Sequence, residues 1–241
     1  MKYSYLTTDQ MMALEKHALE NYPISLEQMM QNAGKAVFDV VINKIIPHLS
    51  EGEIRESRLQ DYRVLVVTGK GNNGGDALVT ARLLQKKGYG VTVLSPYPIE
   101  EFSEMAKKEM EKIVKIGIKI RNQNSEIRNY DLIIDALFGF SLKGNPRPPV
   151  DKIIEQILCS QIPVLSVDVP SGMDVYSGTI GSPCVKADYT VALGMLKKGF
   201  EEHPDFVGKV YLGDLGIPGQ AYKDKGYEPP LFSGSSYLFV N

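Results

Sequence analysis

From Arg63 onward, short apolar runs alternate with longer amphipathic segments along this chain. Continuous runs of Val, Ile and Leu predict strands buried on both faces, and segments with apolar residues every three or four positions predict helices. The predicted strands are residues 64–68, 91–94, 116–120, 132–135, 164–168, 190–193 and 209–212, and the predicted helices are residues 76–87, 101–116 and 150–159. Continuous apolar strands separated by helices indicate an α/β protein with a parallel sheet covered on both faces.

The first sixty residues predict helices. Thr7-x-x-Gln10 and Ser25-x-x-Gln28 each match a capping box ahead of an amphipathic run. The second run carries an apolar stripe at helical spacing, which predicts a face packed against the rest of the domain: Met30, Ala33, Val37, Val41 and Ile45. Residues 50–61 predict a connecting loop, and the segment after Pro218 predicts irregular coil.

Composition and charge describe an ordinary globular protein. The 241 residues are 43% hydrophobic and 23% charged, and the formal net charge of -2 gives no electrostatic case for binding nucleic acid or a membrane surface. Cys159 and Cys184 lack Cys-x-x-Cys spacing, which favours a reducing compartment over a disulfide or zinc site. No apolar stretch has the length of a signal peptide or a membrane span, so we expect a cytoplasmic protein.

Residues 68–77 form a glycine-rich loop between a predicted strand and a predicted helix. Gly69, Gly71 and Gly74 match the G-x-G-x-x-G pattern, in which a helix N-terminus and closely approaching backbone bind an anion such as a pyrophosphate. We place Asp76 at the N-cap of the helix, where capping alone could account for it. The following strand ends without the acid that binds ribose in dehydrogenases, and no Gly-Lys-Ser/Thr closes the loop. Both facts disfavour ordinary hydride transfer and NTP hydrolysis.

Two further acids follow apolar strands directly. Asp135 ends the strand at residues 132–135, and Asp168 ends the strand at residues 164–168. Carboxyl ends of parallel strands meet at the ligand-binding edge of such a sheet, and a buried carboxylate there needs a partner. Asp135 could instead accept N–H bonds from its own turn, and Asp168 could form a turn before Pro170. The residues alone therefore indicate a carboxylate-bearing nucleotide site.

The order of these motifs resembles the YjeF N-terminal domain family, whose best-known members are NAD(P)HX epimerases. The resemblance rests on residues 71–76, 135–139 and 168–172, and it extends to residues 26–34, 186–190 and 213–218. It implies three α/β/α layers, with a Rossmann-like, doubly wound, mostly parallel sheet and an N-terminal helical extension. We expect one domain over residues 1–241, in which residues 1–60 pack on the α/β core of residues 61–241.

The resemblance also implies an activity, namely interconversion of the R and S forms of hydrated NADH and NADPH. We nominate Asp168 as the catalytic acid–base group, since it ends a strand where the ring should lie. The family pattern implies a potassium ion, one per subunit, held by Asn73, Asp135 and Ser171, whose oxygen ligands suit a hard cation. The residues implied to contact the substrate are Asn72, Asn73, Gly74, Gly75, Asp76, Gly139, Phe140, Ser141, Leu142, Lys143, Gly144, Asn145 and Asp168.

Other expectations concern partners and charges. A dehydratase on another chain would consume one epimer, and the Met-rich face of the N-terminal helix could form a homodimer. Lys143 or Arg147 could add charge at the pyrophosphate or could equally face solvent in its loop, whereas Lys197 and Lys198 predict a solvated pair. The alternative function is a non-catalytic nucleotide-binding, scaffold or dimerisation module of the same fold.

Overall fold

The structure, a computed structural model, describes residues 4–49, 56–122 and 125–241. Over these residues the strands are β1 (Tyr5–Leu6), β2 (Arg63–Thr68), β3 (Gly90–Leu94), β4 (Lys119–Arg121), β5 (Leu132–Ala136), β6 (Val164–Val167), β7 (Met173–Asp174), β8 (Thr179–Ile180), β9 (Tyr189–Leu193), β10 (Leu196–Lys197), β11 (Lys209–Gly213) and β12 (Tyr237–Phe239). The helices are α1 (Thr8–Asn21), α2 (Leu26–Val40), α3 (Ile46–Leu49), α4 (Asn72–Lys87), α5 (Glu104–Lys115), α6 (Val150–Ser160), α7 (Gly199–Glu202), α8 (Pro204–Val207) and α9 (Gly219–Asp224).

The central sheet places the ends of β2 and β5 side by side. Its strand order is β12-β11-β9-β6-β5-β2-β3-β4, and β12 alone among its described strands is antiparallel to its neighbour. The chain leaves β2 towards β3 and β4, then returns to β5 on the other side of β2. The strand order therefore reverses between β2 and β5, which is where open α/β sheets bind ligands.

Strand β2 shows why helices cover both faces of the sheet. Successive side chains of a strand point to opposite faces. Val64 and Val66 lie in one apolar core with residues of α2, α4 and α5, whereas Leu65 and Val67 lie in another with Ile153 of α6. The predicted α/β fold of three layers is confirmed.

The N-terminal helices pack on the first of these faces. Both hydrogen bonds of the capping box at Thr7 are present, whereas Ser25 caps the Gln28 N–H without the reciprocal bond being described. The predicted stripe is buried: Ala33, Val37, Val41 and Ile45 lie in the same core as the sheet, and Met30 is buried as well. After α2 the helix continues through a π-helical turn (Val41–Ile45). Met11 and Met29 are buried within the chain as well, which leaves Met12 exposed. The single domain with an extension over residues 1–60 stays a prediction.

Two predicted segments differ from the structure. Helix α5 runs to Lys115 and Gly117 follows with φ of 75°, so β4 is shorter than the strand predicted at residues 116–120. The tail is not coil throughout, since it contains α9 and β12; the rings of Tyr237 and Phe239 pack on Tyr211 at centroid distances of 5.9 and 5.4 Å. Residues 50–55 of the loop predicted at 50–61 lie outside the described residues, and the remainder forms a 3-10 turn at Glu56–Asp61.

None of the described helices has both the length and the apolar character needed to cross a bilayer.

Candidate functional site

Helix α4 begins inside the glycine-rich loop. Its N-cap is Gly71, so Asp76 lies within the helix and the prediction of Asp76 as N-cap is wrong. Glycine has low helix propensity, but tertiary packing overrides it in this helix: Gly75 lies against Met30, where an added Cβ would be 2.4 Å from the Met30 Cε. The first backbone N–H groups of α4, on Asn72, Asn73 and Gly74, have no acceptor among the described residues. They form an anion-binding helix N-terminus.

Close backbone contact joins the loops that follow β2 and β5. The Gly69 N–H donates to the Ala136 carbonyl at 2.9 Å. An added Cβ on Gly69 would lie 2.0 Å from the Leu137 carbonyl oxygen, so no larger residue fits between these loops without a shift. Glycine at this position brings the anion-binding loop against the residues that follow Asp135.

Asp168 lies at the end of β6 in a buried ion pair. Its Oδ2 accepts a hydrogen bond from the Phe140 N–H at 3.1 Å, and its Oδ1 accepts one from the Leu193 N–H at 3.2 Å. Lys197 Nζ also donates to Oδ1, and the side chains of Lys197 and Asp168 are 1% and 4% exposed. The backbone of Asp168 has φ of 69°, a left-handed conformation that few residues other than glycine, Asn and Asp adopt. Asp168 is therefore a fixed, paired carboxylate rather than a simple turn residue.

Lys197 corrects the prediction of a solvated Lys197–Lys198 pair. It lies on β10, pairs through its backbone register with Leu6 of β1, and also donates to the Leu193 carbonyl at 2.7 Å. Its ammonium lies 5.7 Å from the centroid of the Phe140 ring. In the sequence, the apolar neighbours Met195 and Leu196 indicate a buried position near here, but they do not show whether Lys197 or Lys198 is the buried lysine.

Asp135 and Ser171 belong to one buried hydrogen-bond network. Asp135 Oδ2 accepts from Ser166 Oγ at 2.8 Å and from the Ser171 N–H at 2.9 Å, and Oδ1 accepts from the Leu137 N–H at 3.3 Å. Burial raises the pKa of Asp135, and these donors offset part of the rise. Asp135 thus does accept from its own turn, but it also holds Ser171, a residue far away along the chain.

Asn73 has buried amide atoms that lack partners. Its Oδ1 and Nδ2 are both buried with no hydrogen bond within the described residues. Asn73 lies beside the loop that Ser171 holds: an added Cβ on Gly139 would be 3.2 Å from the Asn73 Cβ, and the Phe138 N–H donates to Ser171 Oγ at 3.0 Å. A buried acceptor without a donor costs free energy unless a cation or water satisfies it. The donor set of Asn73, Asp135 and Ser171 consists of oxygens and fits a hard cation.

A cavity of about 390 Å³ opens at these strand ends. The volume is in the range of small-molecule sites. The glycine-rich loop, the residues after β5, and Asp168 line it together with residues of α1 and α2. Its lining residues are Met12, Glu15, Leu26, Met29, Met30, Lys70, Gly71, Asn72, Asn73, Gly74, Asp76, Tyr97, Leu137, Phe138, Gly139, Phe140, Ser141, Asp168, Leu193 and Leu215.

The cavity brings together most of the expected substrate-contacting residues. Those on its wall are Asn72, Asn73, Gly74, Asp76, Gly139, Phe140, Ser141 and Asp168. The remaining expected residues are Gly75, Leu142, Lys143, Gly144 and Asn145, and the structure does not place them on this wall. The Gly144 N–H donates to Asp174 Oδ2 at 3.0 Å, and Asn145 Oδ1 accepts from the Ser182 N–H at 3.0 Å, so this part of the loop contacts the β7–β8 region.

Of the two alternatives for Lys143 and Arg147, the structure favours a loop position away from the cavity. Lys143 lies over the Tyr176 ring, 4.4 Å from its centroid, and neither Lys143 nor Arg147 lines the cavity. Lys70 does line it, and its ammonium pairs with Glu101 Oε2 at 2.8 Å.

Carboxyl groups are the most numerous titratable groups on the cavity wall. Burial raises the pKa of Asp76 well above its ordinary range, and the charges of Asp168 and Glu15 raise it further. Burial is also the main reason why the pKa of Glu15 rises to about 7; Asp168 adds to the rise and Lys197 opposes it. Glu15 was not predicted as a site residue, although it is adjacent to Leu14 on the buried face of α1. The cavity therefore favours the protonated form of both carboxyl groups.

The chain is similar to known proteins of one family along almost its whole length. A family model described as YjeF-related protein N-terminus matches residues 26–199. An NAD(P)H-hydrate epimerase of Entamoeba histolytica is 37% identical over 214 residues, which cover 89% of this chain and 89% of the relative. An NAD(P)H-hydrate epimerase of Plasmodium knowlesi is 31% identical over 244 residues, which cover 99% of this chain and 78% of the relative.

Two further comparisons concern a larger relative and a solved structure. The bifunctional NAD(P)H-hydrate repair enzyme Nnr of Thermofilum pendens is 31% identical over 221 residues, which cover 88% of this chain and 40% of that enzyme. The crystal structure of yeast ynu0 (YNL200c) superposes with a TM-score of 0.83 and 26% identity, covering 98% of this chain and all of that one.

Proposed function

The chain belongs to the family of the YjeF-related protein N-terminus, and we propose that it is an isomerase that epimerises hydrated NADH and NADPH. The observation that carries this proposal is the cavity at the switch point between β2 and β5. It combines an anion-binding helix N-terminus, on Asn72–Gly74, with the buried carboxylate of Asp168. This combination suits a phosphate-bearing substrate and acid–base chemistry at a ring of that substrate.

The substrate would lie across the cavity from the helix N-terminus to the strand ends. We place the pyrophosphate at the free N–H groups of α4 and the hydrated nicotinamide ring near Asp168. No acid stands directly at the end of β3, where Ser95 and Pro96 follow, to select one ribose, which fits acceptance of both NADH and NADPH hydrates. The apolar residues Met29 and Leu215 on the wall exclude water from the ring.

Epimerisation requires departure and return of one hydroxyl group. The hydrated carbon is bonded to an enamine-type nitrogen, so its hydroxyl can leave as water and produce an iminium cation. Water then adds to the other face. An acid must protonate the departing hydroxyl and a base must accept a proton from the returning water, and each such transfer contributes about 10²–10⁴-fold. We assign Asp168 as the catalytic carboxylate, since its negative charge also stabilises the cation.

We also propose that a potassium ion binds at Asn73, Asp135 and Ser171. The unpaired Asn73 amide oxygen supports this proposal, since a hard cation would satisfy it. Asp135 would supply the negative charge. A bound cation would supply positive charge to Ser171, whose Oγ accepts a hydrogen bond from the Phe138 N–H. The ion would therefore order the loop that carries Gly139 and Phe140 into the cavity.

Potassium should stabilise the protein through Asn73. At ten times its Kd, a bound ion adds about 1.4 kcal/mol to the free energy of unfolding, which raises the Tm by roughly 3–6 °C for a chain of this size. Thermal unfolding in KCl and in LiCl at equal ionic strength measures this. The Asn73→Leu variant should lose the difference without losing stability in LiCl, because leucine removes the unpaired polar atoms.

The Asn72→Ala variant is the matched control for that experiment. The Asn72 amide already accepts a hydrogen bond from Ser103 Oγ at 2.9 Å, so its loss should leave the response to potassium in place. Equal melting temperatures of the parent protein in KCl and LiCl would contradict the proposed ion.

An assay with a stereospecific dehydratase tests the epimerase activity. From a mixture of R and S hydrates, the dehydratase alone should stop when it has consumed the epimer that it accepts, apart from slow spontaneous epimerisation. Addition of this protein should then drive the remaining epimer to complete conversion. Binding of the hydrate without faster conversion would instead favour a non-catalytic binding module.

We propose such a dehydratase as the functional partner of this chain. The chain matches 40% of the bifunctional repair enzyme Nnr, whose remaining length can hold a second activity. An epimerisation step is useful only if another enzyme removes one epimer.

A further inference from the structure

The structure places helix α1 directly over the cavity by contacts on two sides. Thr8 Oγ1 donates to the Phe140 carbonyl at 3.3 Å, which ties the start of α1 to the loop after β5. On the other side, β1 pairs with β10, and Leu6 lies opposite Lys197 in that pairing. The segment before α2 is therefore attached both to the cavity loop and to the strand that carries the partner of Asp168.

Helical spacing turns Glu15 into the cavity. Met11, Leu14 and Ala18 form the buried face of α1, and Met12 and Glu15 line the cavity beside that face. Within the described part of the chain, the Glu15 carboxyl has no hydrogen bond and no ion pair. It differs in this from Asp168, whose oxygens accept from Phe140, Leu193 and Lys197.

The titratable groups around Glu15 come from four other elements. They are Asp76 on α4, Asp168 at the end of β6 and Lys197 on β10, together with the titratable but uncharged Tyr222 hydroxyl on α9. Lys197 alone of these is a cation, and it is paired with Asp168. The carboxyl groups of Glu15 and Asp76 therefore lack a counter-charge, so protonation is favoured in this cavity.

We propose that Glu15 is a second catalytic residue, which protonates the departing hydroxyl while Asp168 accepts the proton of the returning water. This inference rests on the proposed function. The two carboxyl groups line the cavity from different elements, a helix and a strand end, so an acid and a base are available from two separate positions on its wall.

The two steps balance in protons and electrons. The Glu15 carboxyl gives its proton to the hydroxyl, the C–O bond breaks, and water leaves with the bonding electron pair as the ring nitrogen lone pair forms the iminium. Water then bonds to the other face of that carbon and gives a proton to Asp168. One proton has moved from Glu15 to Asp168, and either the reverse reaction or exchange with solvent restores the starting state. A pKa of about 7 suits such exchange at neutral pH.

The Glu15→Gln variant tests this role through its pH profile. The parent kcat/KM should fall as pH rises through about 7, because Glu15 must be protonated to act as the acid. In Glu15→Gln, kcat should fall about 100-fold or more with little change in KM. The fall of kcat/KM through about pH 7, the alkaline limb of the profile, should disappear. Glu15→Asp should retain the limb and part of the activity.

Glu20→Gln is the matched control on the same helix. The Glu20 side chain is 59% exposed, so its loss should leave rate and profile unchanged. If Glu15→Gln keeps kcat within about threefold and keeps the limb, the role of Glu15 is wrong. Absence of turnover by the parent protein would contradict the proposed function instead.

Stability measurements test the protonation of Glu15 without any turnover. The folded pKa of about 7 lies above the ordinary value of 4.5, so the stability that the proton provides is complete below about 4.5 and is lost as pH rises through about 7. The Tm of Glu15→Gln relative to the parent should therefore rise between pH 5 and pH 8, a range that covers most of the pH interval over which the parent loses this stability. A constant difference in Tm would show that Glu15 does not hold a proton there, and the proposal would fall.

Discussion

The Asp168→Asn variant should lose about 10²–10⁴-fold in epimerisation rate, since asparagine neither accepts a proton from water nor stabilises the iminium charge. Asparagine can keep the backbone φ of 69°. It leaves Lys197 buried without a counter-charge, however, and breaking a buried pair in this way costs about 3–5 kcal/mol. Steady-state kinetics and chemical denaturation measure the two effects.

A double variant separates catalysis from stability. In Asp168→Asn with Lys197→Met, the uncompensated ammonium is gone, so the free energy of unfolding should recover most of its loss. The rate should stay at the level of the single variant. Recovery of both stability and rate would show that Asp168 has a structural role and that another group carries out the proton transfer.

The Gly69→Ala variant should be destabilised by more than about 2 kcal/mol. An added Cβ would lie 2.0 Å from the Leu137 carbonyl oxygen, which is backbone and cannot rotate away. The loops after β2 and β5 must then separate at the switch point, so epimerase activity should fall together with the free energy of unfolding. Urea denaturation and the coupled dehydratase assay measure these changes.

Gly71→Ala is the control in the same loop. Gly71 has φ of -87°, which alanine adopts freely, and an added Cβ there would meet nothing within 4 Å. We expect a loss below about 1 kcal/mol, from the weaker N-cap preference of alanine. Equal losses in the two variants would mean that the close contact between the Gly69 and Leu137 loops is not what limits stability.

The regular elements could be predicted because their signals are local. The apolar runs of β2, β5 and β6 and the stripe of α2 depend on spacing alone, and the structure has all of them. Element ends were less accurate where packing overrides propensity. Helix α4 begins at Asn72 because Gly75 lies against Met30, and β12 forms because its rings meet Tyr211.

The α/β fold, the glycine-rich loop and the acids at the strand ends follow from local patterns in the chain, since parallel strands bring their carboxyl ends to one edge of the sheet. Which charged groups meet at that edge depends instead on how distant elements pack against each other. Lys197 pairs with Asp168, and Glu15 reaches the cavity from α1. Both depend on packing between elements far apart along the chain, such as the contact of Thr8 with Phe140. The spacing of residues within one helix or strand does not predict such contacts.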